Sequence, residues 1–304
     1  MPNLQVSFAG VTFDNPIVVA SGTYGFGREY EEYMDLNELG GICVKGLTLH
    51  PRAGNLAPRV AETPAGMLNS VGLQNPGIDA FIRDELPYLK RFRPKIIANI
   101  SGNTVEEYAV MAERLSAAGV DMLEVNVSCP NVKEGGIAFG TTIAGVTSVT
   151  EAVCKTATVP VMVKLSPNVT DIAAIARAAE ASGADAISLI NTLLGMRIDT
   201  TTRRPILRNN MGGLSGPAVF PVAVRMVYQV AKAVKIPILG MGGVMTGQDA
   251  AEMMIAGANI IAVGTACFID PEAPLVVKRE LLAYLGAMGI ENVTDISNTV
   301  EVHA

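Results

Sequence analysis

The amino-acid sequence predicts an α/β protein: a (β/α)8, or TIM, barrel with a short N-terminal β-hairpin, forming a single domain over residues 1–304. Three observations predict it. Eight short apolar runs of β character are each followed by a segment with helical periodicity. Those runs are apolar throughout rather than alternating, as strands covered on both faces of a parallel sheet must be. No Gly/Ser- or Pro-rich linker divides the chain, and no repeat of roughly 20 to 50 residues is present beyond the βα alternation itself. An open doubly wound sheet is the competing arrangement of the same elements.

In chain order, residues 4–13 read as a hairpin, and the eight runs are 17–21, 42–45, 96–100, 122–126, 161–165, 186–190, 238–240 and 260–263. Among the intervening helices, 104–118 places Val105, Tyr108, Met111, Ala112 and Leu115 on one face, and 171–181 does the same with Ile172, Ile175, Ala176 and Ala179. Thr104 and Thr170 are the expected N-caps, and Gly119 and Gly183 the expected stops. Three connections, 46–75, 127–140 and 191–216, exceed the usual βα length, and long loops in a compact domain are commonly functional.

Composition removes several classes of function. With 49% hydrophobic and 17% charged residues the chain can bury a large core, which excludes disorder. No apolar run approaches the roughly 20 residues that span a bilayer. The first residues show no basic region followed by a long apolar one, so no signal peptide is expected and a cytoplasmic location is the default. The net charge is −6 and the 23 Lys and Arg residues are scattered apart from clusters at 90–93 and 203–208, which argues against nucleic acid as a partner. Cys43, Cys129, Cys154 and Cys267 are far apart with no C-x-x-C pair, and His50 and His303 are the two histidines. No metal site is expected from such spacing.

In barrel enzymes the chemistry sits at the C-terminal ends of the strands. Here those ends are polar: Ser21-Gly22, Lys45-Gly46, Asn99, Asn126, Lys164 and Asn191-Thr192, with Gly242-Gly243 and Gly264-Thr265 after the last two. For any one of them a loop amide or surface lysine is the plainer explanation; six strands converging on one end is not so easily dismissed. Two lysines and several asparagines without a carboxylate pair suit an anionic, amide-rich ligand and disfavour a glycosidase-like site. The glycine-rich stretches around Gly240–Gly243 and Gly264 precede two helix starts, where backbone N–H groups and the helix dipole would hold a phosphate, unless the glycines merely make tight turns. A phosphate there suits FMN or a phosphorylated substrate. No G-x-G-x-x-G follows a strand, so the chain has no dinucleotide fold of its own. Cys43, Cys154 and Cys267 lie in apolar or helical surroundings and read as buried structural thiols. Cys129 differs, flanked by polar residues and proline at the active-site end. A thiol of ordinary pKa, about 8.5, serves as nucleophile or general base where its thiolate is stabilised.

From the first strand to the last, the sequence resembles the class 1 dihydroorotate dehydrogenases, in particular the catalytic subunits of the NAD-dependent type B. The resemblance rests on Asn69-Ser-Val-Gly-Leu-Gln-Asn75, Asn126-Val-Ser-Cys-Pro-Asn131, Val163-Lys-Leu-Ser-Pro167, Asn191-Thr192, Gly213-Leu-Ser-Gly216 and the two glycine turns. It implies an FMN-bound barrel that oxidises dihydroorotate to orotate in pyrimidine synthesis. Carried over residue by residue, it implies that Ser21, Lys45, Gly46, Asn99, Asn126, Lys164, Ile190, Gly216, Gly242, Gly243, Gly264 and Thr265 contact the flavin. Lys45, Asn69, Ser70, Val71, Gly72, Leu73, Asn126, Asn191 and Thr192 would hold the substrate, and Cys129 would be the catalytic base. Membrane-bound class 2 relatives use serine as base and carry an N-terminal membrane segment, and this sequence shows neither. Type B over the fumarate-using type A rests on Ala20-Ser-Gly-Thr-Tyr-Gly-Phe-Gly27 and Lys133-Glu-Gly-Gly-Ile-Ala-Phe-Gly140. The resemblance further implies a partner subunit carrying FAD and a [2Fe–2S] cluster, and a homodimer of catalytic subunits within a heterotetramer. Outside this family, the residues also admit a flavin-free lyase with a Schiff base on Lys164, or a binding subunit without turnover.

Overall fold

Strands Ile17–Val19, Gly41–Cys43, Lys95–Ile100, Met122–Asn126, Val161–Lys164, Ala186–Leu189, Ile238–Met241 and Ile260–Val263 hydrogen-bond in chain order into a closed parallel barrel. The eighth pairs with the first, Ile261 opposite Ile17, so the sheet has no open edge. The computed structural model describes residues 1–128 and 139–303; Cys129, with the loop motif that follows it to residue 138, lies outside the described residues. Each of the eight runs expected from the sequence is a barrel strand, and closure replaces the open-sheet alternative.

The strands stop short of their expected ends where function begins. The first ends at Val19 and the second at Cys43. Ala20 N–H still donates to Val263 C=O at 2.9 Å and Val44 N–H to Ile97 C=O at 3.0 Å, but Lys45 N–H turns to Gly25 C=O. Ser21 and Lys45 therefore sit on chain that has just left the ladder.

Helix Val105–Ala118 starts at Thr104, whose side chain accepts from Glu107 N–H, and stops at Gly119 in the left-handed region. Helix Ile172–Ala181 corrects the expected cap: Asp171, not Thr170, accepts from Ala174 N–H. Cap geometry requires the side-chain oxygen to reach the amide two or three residues on, and Asp171 occupies that place. The N-terminal hairpin, Val6–Phe8 against Val11–Phe13, closes the far end of the barrel. Phe8 and Phe13 are buried and meet edge-on at 6.1 Å, and a Cβ on Gly41 would lie 3.0 Å from the Phe13 ring.

The long connections hold structure that the sequence reading treats as loop. Val60–Thr63 and Gly66–Asn69 from one connection join Gly212–Ser215 and Leu193–Gly195 from another in a four-stranded antiparallel sheet. This sheet brings 66–69 and 212–215 together beside the barrel mouth. Among the described residues, no helix is long and apolar enough to cross a membrane.

The cap assignment has a measurable consequence. Asp171→Ala is expected to destabilise the protein by about 1 kcal/mol, while Thr170→Ala has little effect, in paired urea denaturation curves. A loss from Thr170→Ala with none from Asp171→Ala would return the cap to Thr170.

Candidate active site

Alternation along each barrel strand decides which side chains reach the interior. On the fourth strand, Asn126 and Glu124 share the inward face, with Asn126 at the mouth and Glu124 one layer below. Tyr108, from the preceding helix, fixes the strand end by donating its hydroxyl to Asn126 C=O at 2.8 Å. In cross-strand register, Asn99 lies opposite Glu124, Lys164 opposite Asn126, and Ser188 opposite Lys164.

Glu124 is fully buried and is the centre of a polar network inside the barrel. Its Oε2 accepts from Asn99 Nδ2 and from Cys43 Sγ at 3.1 Å, its Oε1 accepts from Ser188 Oγ at 2.8 Å, and Lys164 Nζ stands 3.6 Å from Oε2. Burial by itself would push this carboxyl up; Lys164 and the three donors outweigh it and hold the group below the usual carboxylate range. Burial, then the neighbouring Glu124 charge, pushes the Cys43 thiol well above its ordinary value. Cys43 is therefore a neutral donor to Glu124, which enlarges its expected role as an inert buried thiol. Lys164 completes its contacts with Ser21 Oγ at 3.4 Å.

Above this layer lies a cavity of about 290 Å³ at the C-terminal ends of the strands. Ser21, Lys45, Gly46, Asn99, Asn126, Lys164, Ile190, Gly242, Gly243, Gly264 and Thr265 all line it, as do Asn69, Ser70, Val71, Gly72, Leu73, Asn191 and Thr192. Gly216 does not line it. Its carbonyl oxygen instead lies 2.8 Å from where a Cβ on Gly243 would stand, so Gly216 supports the glycine turn from behind. Lys45 is half-buried; desolvation, and secondarily Arg59, lowers its pKa, so an anion bound beside it would be welcome. Asn191 Nδ2 donates to Asn126 Oδ1 at 3.3 Å, Ser128 N–H donates to the same oxygen, and Thr192 N–H donates to Asn191 Oδ1. These bonds orient both asparagines. Two buried polar atoms on the lining, Asn99 Oδ1 and Ser70 Oγ, have no hydrogen-bond partner among the described residues.

The expected phosphate cradle needs correction in one part. The helix after the seventh strand, Gly247–Ala256, has an N-terminus already satisfied: Thr246 accepts from Asp249 N–H, Asp249 accepts from Met245 and Thr246 N–H, and Glu280 accepts from Gly247 N–H. Two carboxylates there would repel an anion. The cavity is instead bounded by the turn at Gly242 and Gly243, both with positive φ, and by Gly264-Thr265. Thr265 Oγ1 donates to Ser215 Oγ at 2.9 Å, tying the mouth sheet to the end of the eighth strand. At Gly243 a side chain would collide with Gly216 and Phe220 backbone as well as adopt a strained φ.

Sequence reasoning did not single out Glu124 or Ser188, nor Met67, Ser215 and Phe268 on the lining. For Glu124 the signal was present: a carboxylate in an apolar strand, two residues before an inward-facing asparagine. Among the described residues, no group of three or more His, Cys, Asp and Glu side chains is placed to hold a metal ion.

Comparison with known proteins gives one consistent match. A family model described as dihydroorotate dehydrogenase matches residues 3–285. The dihydroorotate dehydrogenase B (NAD(+)) catalytic subunit of Alkaliphilus metalliredigens is 56% identical over 298 residues, 98% of this chain and 99% of its own length. The proteins of the same description from Thermoanaerobacter pseudethanolicus and Geobacillus kaustophilus are 53% and 54% identical, covering 99% and 97% of this chain and 99% and 95% of theirs.

The buried pair makes a prediction whose sign reverses on mutation. In the native protein the depressed Glu124 pKa contributes stability that is present above the unfolded carboxylate range, about 4.3, and lost as pH falls through the lower folded value. Lys164→Met strands the carboxylate, costing about 3–5 kcal/mol at neutral pH. Burial then raises the folded pKa above the unfolded one, so the variant is expected to lose stability as pH rises above about 4.3, in urea midpoints measured from acid to neutral pH. A variant whose midpoint follows the native pH dependence would refute the pairing.

Proposed function

Because the chain belongs to the dihydroorotate dehydrogenase family, we propose that the cavity at its barrel mouth is where dihydroorotate is oxidised to orotate, with FMN as the resident cofactor. The activity is that of the NAD-dependent B type, serving pyrimidine synthesis. The observation that carries the site reading is the gathering of both lysines, the asparagines and the glycine turns around one cavity. FMN also suits the unpartnered Asn99 Oδ1, which needs an N–H from a ligand, and the turn at Gly242 and Gly243 on the cavity lining, whose positive φ values make the kind of backbone turn that receives a phosphate. FMN, when bound, supplies the acceptor for the hydride leaving the carbon that bears the substrate carboxylate.

The chain's own residues do the rest. Cys129 takes the proton from the carbon beside the ring carbonyl: that C–H bond breaks, its electron pair forms the new C=C as hydride leaves the neighbouring carbon, and the proton arrives on sulfur. Lys45 neutralises the substrate carboxylate. Asn69, Asn126, Asn191 and Thr192 offer the amide and hydroxyl partners that the ring N–H and C=O groups require, with residues 70–73 closing over them. Lys164 provides positive charge where the flavin becomes negative, and Ser21, Gly46 and Ile190 shape the remaining wall. Gly242, Gly243, Gly264 and Thr265 receive the phosphate, with Gly216 behind them.

A Schiff-base lyase would need an unprotonated amine in an apolar pocket, whereas Lys164 faces the Glu124 carboxylate and the Ser21 hydroxyl. The relatives' description as catalytic subunits implies a partner for electron transfer. In this reading that partner carries FAD and a [2Fe–2S] cluster, and two catalytic subunits form a dimer within a heterotetramer in the cytoplasm.

The direct test is to purify the protein, record its visible spectrum and add dihydroorotate without oxygen. A yellow protein that bleaches is expected; a yellow protein left unbleached removes this substrate, and one that takes up no FMN removes the flavin. For the base, Cys129→Ala is expected to keep FMN yet slow its reduction by orders of magnitude in stopped flow. Cys129→Ser is expected to retain partial activity shifted to higher pH, because a hydroxyl ionises less readily than a thiol of pKa about 8.5. Near-native reduction by Cys129→Ala would exclude that residue as base.

A further inference from the structure

We propose that Glu124 is a positioning residue that sets the polarity of the cavity floor toward the flavin, holding Lys164 as its cation and fixing Asn99 with the acceptor oxygen outward. The proposal rests on the flavin reading above. A carboxylate only accepts hydrogen bonds, so Asn99 must offer it Nδ2; rotating the amide would set oxygen against oxygen in a fully buried position. Asn99 Oδ1 is thereby left on the cavity lining with no partner among the described residues, ready for an N–H donor. The same Glu124 oxygen faces Lys164 at 3.6 Å, so one carboxylate fixes both an acceptor and a cation on the floor. The polar edge of a flavin ring needs this pair: its one N–H stands between two carbonyls, and the adjoining nitrogen gains negative charge on reduction. Stability alone gives no reason for such a layer, since a packed apolar one serves as well as a buried ion pair.

Glu124 is enclosed on all sides. The second and fifth strands present Cys43 and Lys164, the titratable side chains facing it among the described residues, and the third and sixth present neutral Asn99 and Ser188. Its charge is therefore set within the barrel and felt at the cavity floor.

The test uses two readouts, FMN affinity of the flavin-free protein and the midpoint potential of bound FMN by dye equilibration. Glu124→Gln removes the anion that opposes reduction and leaves Lys164 uncompensated, so the potential is expected to rise by the equivalent of about tenfold in the reduction equilibrium, about 30 mV for two electrons. A glutamine amide also lets Asn99 turn, so FMN is expected to bind about tenfold more weakly, of order one hydrogen bond lost. Glu124→Asp, which keeps the charge, is expected to return the potential toward the native value. A folded, FMN-bound Glu124→Gln protein with native potential overturns the proposal while leaving the flavin reading intact; native protein that binds no FMN defeats both. Should Glu124→Gln not fold, Ser188→Ala strips one donor from the carboxylate and makes it easier to protonate. Its potential is then expected to exceed the native one increasingly toward acid pH, and a profile superimposing on native over about pH 5 to 8 overturns the proposal.

Discussion

A carboxylate on the axis of a closed barrel is the constraint around which the upper half of this molecule is arranged. Barrel interiors are packed cores, and an unpaired ion there costs several kcal/mol even after relaxation. Glu124 is tolerated because the second, third, fifth and sixth strands each bring it a partner, Cys43, Asn99, Lys164 and Ser188. The arrangement demands a single register. A slip of one residue in any of those strands would turn its polar side chain to the outer, helix-covered face and leave the carboxylate short of a partner. Below this layer the interior is held by apolar packing; above it the side chains face the cavity.

The barrel was legible because its signal is repeated eight times and depends only on local pattern. Its strands are buried on both faces, so they appear as unbroken apolar runs. Asp171 and Thr170 illustrate where local pattern stops: both are good capping residues, adjacent in sequence, and only backbone geometry selects between them. Glu124, and with it the bond that buried Cys43 makes to it, was hidden for another reason. Attention to strand ends finds residues at the mouth, while the layer beneath is reached only by following alternation backwards from Asn126 and Lys45. The mouth sheet had little local signal, since its strands are only three or four residues long, three of the four contain glycine, and Asn69 finds its partner Gly213 in a different connection.

In the function proposed above, the two ends of the cavity use different chemistry for the same purpose. Toward the last two strands, recognition falls to backbone, and side chains are excluded by steric crowding at Gly243. A helix N-terminus is the common device for an anion, yet here Thr246, Asp249 and Glu280 have taken up amides at that end, and the proposed reading gives the role to the turns. Toward the middle strands, recognition falls to asparagines whose orientation is fixed by one another and by Thr192 and Ser128 N–H groups. Rigid amides of fixed polarity discriminate against a misplaced ring more sharply than mobile hydroxyls do.

Pairing of the first strand with the eighth also governs when this protein becomes a protein. On the ribosome the chain emerges from its N-terminus, and Ile17 waits for Ile261 before the ring can close. Until then the barrel is an open sheet with two sticky edges, and the carboxylate at position 124 has partners arriving as late as Ser188. Intermediate lengths of nascent chain thus expose both unsatisfied strand edges and a buried-ion site without its full set of donors. Such a topology leaves both edges open until most of the chain has emerged, and the mouth at the strand ends is completed only then, all at once.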